Sequence, residues 1–296
     1  MSLDGESRPV IVAASGGLGY AIVKHVACSH WVEGIMTDHV SKDISEFAEK
    51  NGIPLFKENP RNGKAQAFLS NLQRKVLLSV NYLFLFDEDF LQEIEIAINV
   101  HGSLLPKYRG RTPHVWAIIN NERECGITAH RISAACDAGN ILVQKKIRIL
   151  KTDTGGSILK KYEKIYPDVI QQVFDLIAEN KTEGRRQNEK LATYFGKRTP
   201  EDGRINWWWQ RERIYNWIRA QTRPYPGAFS FIGNTKIICW KSRLSSRGFS
   251  FSVSDGTILY ATADSLVVKT PNGCLEIEEY QTIPPNVTVP EGGIFQ

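Results

Sequence analysis

The sequence has no hydrophobic run long enough to cross a membrane. Its longest apolar stretch, from Val76 to Phe86, is interrupted by Ser79 and Asn81 and falls short of the ~18 residues that suggest a membrane span. The first residues, Met1 to Pro9, are too polar for the apolar region of a signal peptide. We therefore expect a cytoplasmic protein that does not interact with membranes.

The sequence has few cysteines, and their pattern excludes two further classes. The five cysteines are odd in number and form no close CxxC pair, so neither a disulfide framework nor a thiolate metal site is predicted. His25, Cys28, His30 and His39 lie near one another in the sequence, but their spacing matches no zinc pattern. We expect reduced thiols and no bound metal.

Net charge is small overall but unevenly distributed. The chain has 296 residues, with 37 basic and 32 acidic side chains. Residues 1–183 are neutral, residues 184–247 carry a net charge of +10, and residues 248–296 carry −5. The basic block attracts the phosphates of a nucleotide or a nucleic acid, or it simply forms a solvated surface. At this length we expect two domains.

Short apolar runs alternate with helical patterns over the first half of the chain. The runs that predict strands are Val10–Ala14, 33–37, 53–56, 76–78, 82–86, 94–100, 127–132 and 141–149. Predicted helices cover 20–27, 44–50, 113–120 with Thr112 as N-cap, and 156–180, where Pro167 should kink or interrupt the helix. This alternation predicts an α/β domain with a mostly parallel sheet.

The polar stretch from 184 to 203 is the best candidate for a linker. It separates a predicted domain of residues 1–183 from one of residues 204–296. The second domain has one predicted helix, near 210–221, and short runs joined by turn pairs such as Gly233-Asn234 and Asn272-Gly273. We predict a smaller, mostly antiparallel β domain.

The glycine turn after the first strand suggests a nucleotide site. Gly17 and Gly19 fit the first two glycines of a dinucleotide fingerprint, and Asp38 lies where a ribose-binding acid is expected. The third glycine position is Ile22, so the fingerprint is incomplete. The alternative is a plain tight turn at the edge of another site.

Asn99 and His101 lie two residues apart at the end of a predicted strand, so both side chains project from one face of the sheet. Ligands bind at the carboxyl edge of such sheets. Asp137 follows a later strand, in a turn from which its carboxylate can reach a histidine. A buried carboxylate fixes the tautomer of its imidazole and raises its basicity, which suits a general base acting on an amine. Taken singly, each residue is equally typical of a turn or a core position.

The motifs around these residues resemble the formyltransferases that use 10-formyltetrahydrofolate. The matching stretches are Asn99–Gly110, Gly126–Arg131, Cys136–Leu142, Tyr194–Gly203 and Arg219–Phe229. Their order and spacing cover nearly the whole chain. The resemblance implies a Rossmann-like formyltransferase domain followed by a β-rich, OB-like domain.

The resemblance also implies roles for individual residues. His101 takes the proton of the attacking amine, Asp137 orients it, and Asn99 stabilises the oxyanion. The folate co-substrate is expected against Leu83, Phe84, Leu85, Phe86, Asp87, Leu104, Leu105 and Pro106. The acceptor is expected near Gly16, Gly17, Ser103, Lys107, Arg109, Arg111, Thr112 and Tyr225, with Arg109, Arg111 and the amino end of the helix from Pro113 facing a diphosphate.

Three branches of this family differ in the amine that they formylate. The glycinamide ribonucleotide enzymes usually lack the second domain and have proline where this chain has Gly102. The methionyl-tRNA enzymes typically carry a long basic loop after the second strand, which is missing between Thr37 and Ser45. The motif His101–Arg111 is most similar to the sugar N-formyltransferases. We therefore predict a UDP- or dTDP-linked 4-amino sugar as acceptor, for surface glycans such as lipopolysaccharide O-antigen.

Two alternatives are retained beside the sugar enzyme. One is methionyl-tRNA formyltransferase, although the missing loop disfavours a nucleic-acid partner. The other, of a different class, is a catalytically idle binder of folate or nucleotide. The aromatic cluster of Trp207–Trp209, Tyr215 and Trp217 either stacks a nucleobase or forms interdomain core. Relatives are often dimers, so a homodimer is also considered.

Overall fold

A computed structural model describes residues 9–73, 75–262 and 264–296 of the chain. The predicted absence of a signal peptide concerns Met1 to Pro9 and so falls almost entirely outside these residues. None of the helices within the described ranges has the length and apolar character needed to span a bilayer.

Strands and helices alternate through the first two thirds of the chain. The strands are β1 (Val10–Ala14), β2 (Val32–Met36), β3 (Leu55–Phe56), β4 (Val76–Val80), β5 (Ile96–His101), β6 (Arg109–Gly110), β7 (Glu124–Arg131), β8 (Ile141–Arg148) and β9 (Tyr194–Phe195). The helices are α1 (Gly16–Ser29), α2 (Lys42–Lys50), α3 (Gln66–Leu69), α4 (Glu88–Gln92), α5 (Pro113–Ile119) and α6 (Gly155–Ala178).

Seven of these strands form one sheet in the order β3-β2-β1-β4-β5-β7-β8. The pairs from β3 to β5 are parallel, whereas β7 is antiparallel to β5. Every residue of β1, β2 and β4 is buried, as in sheets covered by helices on both faces. The predicted mostly parallel α/β sheet is confirmed.

The apolar run from Tyr82 to Phe86 is a loop, not the predicted strand. Asn81 precedes it with a left-handed φ of 54°, and the Asp87 carboxylate, which accepts from the amide of Phe90, caps α4 after it. Between these two points Tyr82 and Phe86 insert into the core and stack on each other. The run is apolar because it fills the core, not because it pairs in the sheet.

Two other local predictions concern a proline and a helix start. Helix α6 continues through Pro167, so of the predicted kink or interruption the interruption does not occur. Thr112 precedes α5 in a left-handed conformation, with a φ of 47°, and its hydroxyl makes no capping hydrogen bond. The predicted N-cap contact is therefore absent, although Pro113 does begin the helix as expected.

The chain divides into two compact units whose limits differ from the predicted domains. Of the described residues, the first unit contains those within 9–110, 126–147 and 162–194, and the second contains those within 111–125, 148–161 and 195–296. Residues 184–194, expected in a linker, thus belong to the first unit. The physical reason is that Arg185 pairs with Ile141 through two backbone hydrogen bonds.

The second unit contains an antiparallel sheet of five strands in the order β10-β11-β14-β13-β12. Its elements are α7 (Arg211–Gln221), β10 (Ala228–Ile232), β11 (Thr235–Ser245), β12 (Ile258–Ala261), β13 (Leu266–Thr270) and β14 (Gly273–Ile283). Both predicted hairpins form. The first turns at residues 233–234 as predicted, and the second turns at Pro271 and Asn272, because Gly273 already pairs with Thr270 in the sheet. The smaller antiparallel domain is confirmed.

Two tryptophans of the aromatic cluster, Trp207 and Trp217, are buried in the second unit. Trp207 stacks on Phe295, and its indole N–H donates to Ser230. Trp209 and Trp217 meet edge to face. Trp208 is 79% exposed, so for this ring the stacking of a nucleobase stays a prediction.

Candidate functional site

Two polar side chains project from the end of β5 in the first unit. Asn99 and His101 are two residues apart on this strand and share one face of the sheet. Tyr162 on α6 donates from its hydroxyl to the carbonyl of Gly102 at 2.8 Å. This hydrogen bond holds the strand end against the helix, so the site rests on two regular elements.

Asp137 is the residue on which these side chains converge. It lies between β7 and β8 in a left-handed conformation, with a φ of 51°. Its Oδ1 lies 3.4 Å from Asn99 Nδ2, and its Oδ2 lies 3.6 Å from His101 Nδ1. The backbone N–H of Gly110 donates to Oδ2 at 2.9 Å. The structure therefore brings together the three residues predicted as catalytic.

The Asp137 carboxylate is ionised at neutral pH. Burial disfavours its charged form, but the neighbouring imidazoles of His101 and His130 and the N–H of Gly110 favour it. These contacts outweigh burial and hold the pKa of Asp137 well below the usual range of an aspartate. An ionised, largely buried carboxylate can stabilise a cation beside it.

The two ring nitrogens of His101 have different surroundings: one is hydrogen-bonded to the backbone and the other faces Asp137. Nε2 lies 2.8 Å from the carbonyl oxygen of Tyr108 and must therefore carry the hydrogen of this bond. In the neutral ring the lone pair is then on Nδ1, the nitrogen that faces Asp137. A proton accepted at Nδ1 produces a cation directly beside the carboxylate.

His130 is a second histidine at this point, and nothing in its local sequence marks it as part of the site. It is the cross-strand partner of Asn99 and is almost completely buried. Nδ1 donates to the carbonyl of Arg131 at 2.7 Å, so neutral Nε2 accepts from Asn99 Nδ2 at 3.1 Å. His130 thereby orients the Asn99 amide. Only the register of β5 on β7 identifies this pair.

The residues predicted to contact folate form two loops. In the first, Leu83 and Leu85 are 41% and 56% exposed, while Phe86 packs in the core. Asp87 is already engaged, because its carboxylate caps α4 and accepts from the amide of Asn62 at 2.8 Å. This loop presents an apolar surface made of leucine side chains.

The second loop, residues 103–107, is closed by its own hydrogen bonds. Ser103 donates from its hydroxyl to the carbonyl of Lys107 at 2.7 Å, so its hydrogen is not directed to a ligand. Leu105 is buried, and its carbonyl accepts from Gln144. Leu104 lies over Gly126, where a Cβ atom would come within 2.4 Å of its side chain. Pro106 is half-buried and Lys107 exposed.

The glycine turn after β1 is built as a tight turn with its own polar supports. The amide of Gly16 donates to Ser41 Oγ, and Ser41 donates in turn to Asp38. The Asp38 carboxylate also accepts from the amide of Val40 and is buried, so it is not placed as a ribose ligand. Gly17 is exposed, with no atom near its missing side chain.

The structure contradicts the predicted diphosphate contact of Arg109. This side chain is completely buried. Its two terminal nitrogens donate to the carboxylate of Glu189 at 2.7 and 2.9 Å, to Gln187 and to the hydroxyl of Tyr194. Arg109 is thus an internal support. Arg111 and Thr112, both half-buried, belong to the second unit.

Tyr225, predicted to contact the acceptor, is paired inside the second unit. Its hydroxyl lies 2.5 Å from Nε2 of His114. Burial lowers the pKa of His114 to about 4 and raises the pKa of Tyr225 to about 12. Both groups are therefore neutral at physiological pH, and their hydrogen bond is one between uncharged partners.

His114 makes the stability of the second unit depend on pH. Its pKa is about 4 in the folded chain against 6.5 as the ordinary value, so the unfolded chain takes up the proton first. The stabilisation is complete above pH 6.5 and is lost as the pH falls towards about 4, by about 3 kcal/mol. We expect His114→Gln, which retains a partner for Tyr225, to remove this dependence.

Urea unfolding followed by tryptophan fluorescence measures this effect. Six of the seven tryptophans lie in the second unit, so the signal reports mainly on it. For each protein, the free energy of unfolding is plotted against pH and its slope is measured. The difference in slope between the parent and His114→Gln is the contribution of His114. Equal slopes in the two proteins would contradict the assignment.

Within the described ranges, no group of three or more His, Cys, Asp or Glu side chains is arranged to hold a metal ion. The histidines and the cysteine near the start of the chain, considered above for zinc, form no such group.

Comparison with protein families gives two matches that together span most of the chain. The family model described as formyl transferase matches residues 13–174, and that of the formyl transferase C-terminal domain matches residues 197–284. Among curated proteins, the bifunctional polymyxin resistance protein ArnA of Wigglesworthia glossinidia brevipalpis is 37% identical over 249 residues. That alignment covers 81% of this chain but only 37% of the relative, so the chain spans little more than a third of that protein.

Two solved structures share the fold. One is WlaRD, a sugar 3N-formyl transferase crystallised in the presence of dTDP and 5-N-formyl-THF, with a TM-score of 0.70, 20% identity and coverage of 93% of this chain and 98% of that one. The other is an N-formyltransferase from Helicobacter canadensis in complex with folinic acid and dTDP-3-aminofucose, with a TM-score of 0.71, 21% identity and coverage of 92% and 98%. At 20% and 21% identity, these two comparisons show that the chain shares their fold.

Proposed function

The chain belongs to the formyl transferase family, and from that premise we propose that it transfers the formyl group of 10-formyltetrahydrofolate to the amine of a nucleotide-linked 4-amino sugar. The observation that carries the proposal is the convergence of Asn99, His101 and Asp137. Formyl transfer requires a base for the amine proton and a donor for the oxyanion, and this cluster contains both.

The base in this proposal is His101 Nδ1. Tyr108 holds the Nε2 hydrogen, which leaves the Nδ1 lone pair to accept the proton of the attacking amine. The cation that results lies 3.6 Å from the Asp137 carboxylate. Asp137 therefore stabilises the protonated base and holds the ring in position.

Asn99 is the proposed donor to the developing oxyanion. One of its amide hydrogens is directed to His130 at 3.1 Å. The contact of its nitrogen with Asp137 is 3.4 Å, which is long for a hydrogen bond, so the second hydrogen is only weakly engaged. This hydrogen can turn to an oxygen atom of the reacting carbonyl.

The folate co-substrate supplies the activated formyl group. We propose that its ring system lies on the exposed side chains of Leu83 and Leu85, because a flat aromatic ligand is favoured by an apolar surface of this kind. Leu104 and Pro106, which are half-buried, are the remaining candidates. The backbone of Leu105 is already hydrogen-bonded within the protein.

A nucleotide sugar is the favoured acceptor because the connection between β2 and α2 is short. This connection closes on the Asp38 carboxylate, which binds the amides of Val40 and Ser41, and it contributes no additional basic surface for a tRNA acceptor stem. Of the two structural neighbours, one is a sugar 3N-formyl transferase and the other is an N-formyltransferase in complex with dTDP-3-aminofucose. The motif form His101–Arg111 favours a 4-amino sugar, and the formamido product would serve surface glycan synthesis.

A formyl-transfer assay tests the proposal. Purified protein is incubated with 10-formyltetrahydrofolate and a panel of UDP- and dTDP-linked 3-amino and 4-amino sugars, with methionyl-tRNA in parallel, and release of tetrahydrofolate is followed. We expect turnover with one 4-amino sugar and none with the tRNA. Turnover with a 3-amino sugar alone would correct the position of the amine.

Two outcomes would replace the proposal by its alternatives. Turnover with methionyl-tRNA alone would assign the basic block of residues 184–247 to RNA binding. Binding of folate or nucleotide without turnover of any acceptor would identify an idle binding protein.

A further inference from the structure

Gln187 is a buried amide in a stretch of otherwise polar, exposed sequence. Its Nε2 donates to the backbone carbonyl of Asp137 at 2.8 Å and to that of Gly139 at 2.7 Å. Its Oε1 accepts from the guanidinium of Arg109 at 2.8 Å. Two carbonyls require donors and a cation requires an acceptor, so the orientation of this amide is fixed by its surroundings.

Arg109 anchors Gln187 on the other side. The guanidinium is completely buried and forms two parallel hydrogen bonds with the carboxylate of Glu189. Its backbone N–H donates to the carbonyl of Thr193 at 2.9 Å. Paired guanidinium–carboxylate contacts of this geometry are strong and directional. The oxygen of Gln187 is therefore held by a group that is itself immobilised.

The turn that Gln187 contacts has two backbone hydrogen bonds of its own, from the N–H of Arg131 to the carbonyl of Asn140 and from that of Ala138 to the carbonyl of Ala135. Asp137 adopts a left-handed backbone, which few residues other than glycine, asparagine and aspartate adopt. Beyond the turn, the side chain of Asn140 donates to the carbonyl of Glu183, and Ile141 pairs with Arg185. The segment 183–187 thus holds the turn 137–141 along its length, and only Gln187 reaches Asp137 itself.

We propose that Gln187 is a positioning residue for the Asp137 carboxylate, acting through the backbone carbonyls of the turn with Arg109 as its anchor. This inference deepens the proposed function and rests on it for its kinetic consequence. The carboxylate reaches the N–H of Gly110 at 2.9 Å and faces His101 only while the turn keeps this shape. Misplacement of a catalytic group by ~1 Å can lower a rate by ~10²-fold.

Gln187→Glu tests the proposal with almost no change in size. The carboxylate keeps an acceptor for Arg109 but has no hydrogens for the two carbonyls, which it repels. We expect kcat to fall by about 10- to 100-fold, with KM for both substrates nearly unchanged. Gln171→Glu is the matched control, because Gln171 is exposed on α6, and it should retain full activity.

A second measurement does not depend on turnover. Carbon-13 NMR follows the ionisation of the Asp137 carboxyl group directly. We expect the pKa of Asp137 to rise in Gln187→Glu towards the ordinary range of an aspartate, because the displaced carboxylate loses the contacts that lower it. The pKa in Gln171→Glu should equal that of the parent protein.

Glu189→Gln keeps the test decisive should Gln187→Glu fail to fold. Glu189 is exposed and its replacement weakens only the anchor, so we expect smaller changes in the same direction. Absence of turnover in the parent protein would overturn the proposed function, and the Asp137 titration would still test the role of Gln187. Folded variants with unchanged Asp137 titration would overturn the positioning role.

Discussion

Replacing His101 with alanine will lower kcat for formyl transfer by about 10²- to 10⁴-fold, the usual contribution of general acid–base catalysis. The substitution removes the nitrogen that accepts the amine proton and leaves the Asp137 carboxylate without the cation that it stabilises. The leucines of the predicted folate surface are untouched. Affinity for the folate should therefore stay within about threefold of that of the parent protein.

Single-turnover kinetics and folate binding by fluorescence separate these two effects. His25→Ala is the matched control, because His25 lies on α1 and makes no contact with the cluster around Asp137. This variant should retain the activity of the parent protein. If His101→Ala turned over at the parent rate, His101 could not be the base and the mechanism would have to be rejected.

Replacing Asp137 with asparagine will have an effect of similar size, about 10³- to 10⁴-fold on kcat, as expected when an orienting acid loses its charge. Asparagine fills the same volume but cannot accept at both of its positions. With its oxygen on the N–H of Gly110, its amide nitrogen faces that of Asn99, and two donors then oppose each other. The variant therefore loses the negative charge that stabilises protonated His101, and it disturbs the position of the Asn99 amide.

The same substitution also changes stability. The pKa of Asp137 is lowered in the folded chain, so this carboxylate stabilises the fold fully above the ordinary aspartate pKa. That stabilisation is lost progressively as the pH falls from there through the lowered pKa of the folded chain. At neutral pH we expect Asp137→Asn to unfold at lower urea concentration than the parent. Asp168→Asn, a change at an exposed position of α6, is the control and should alter neither activity nor stability.

Most elements of the fold could be predicted because their periodicity is local. The strands β1, β4 and β5 and both hairpins of the second unit follow from apolar runs and turn pairs. The loop 82–86 could not be predicted, since a short apolar run that fills a core has the same composition as a buried strand. Pro167 shows a related limit, because the sequence does not reveal whether packing outweighs a lost hydrogen bond.

The candidate site could be predicted only in part for the same reason. The spacing of Asn99 and His101 is a property of one strand, and it is visible in the sequence. The pairing of Asn99 with His130 depends on the register of an antiparallel partner. The contact between Gln187 and Asp137 joins residues 50 positions apart, and the charge of Arg109 gives no sign that this side chain is buried.

The support of the turn at 137–141 by residues 183–187 has a consequence for the order of events during synthesis. A ribosome that adds roughly 5–20 residues per second delivers Asp137 seconds before Gln187. In that interval the nascent chain already contains all three members of the cluster but lacks the two hydrogen bonds from Gln187 to the turn. The proposed positioning therefore predicts that the Asp137 carboxylate reaches its final place only after residue 187 has been added.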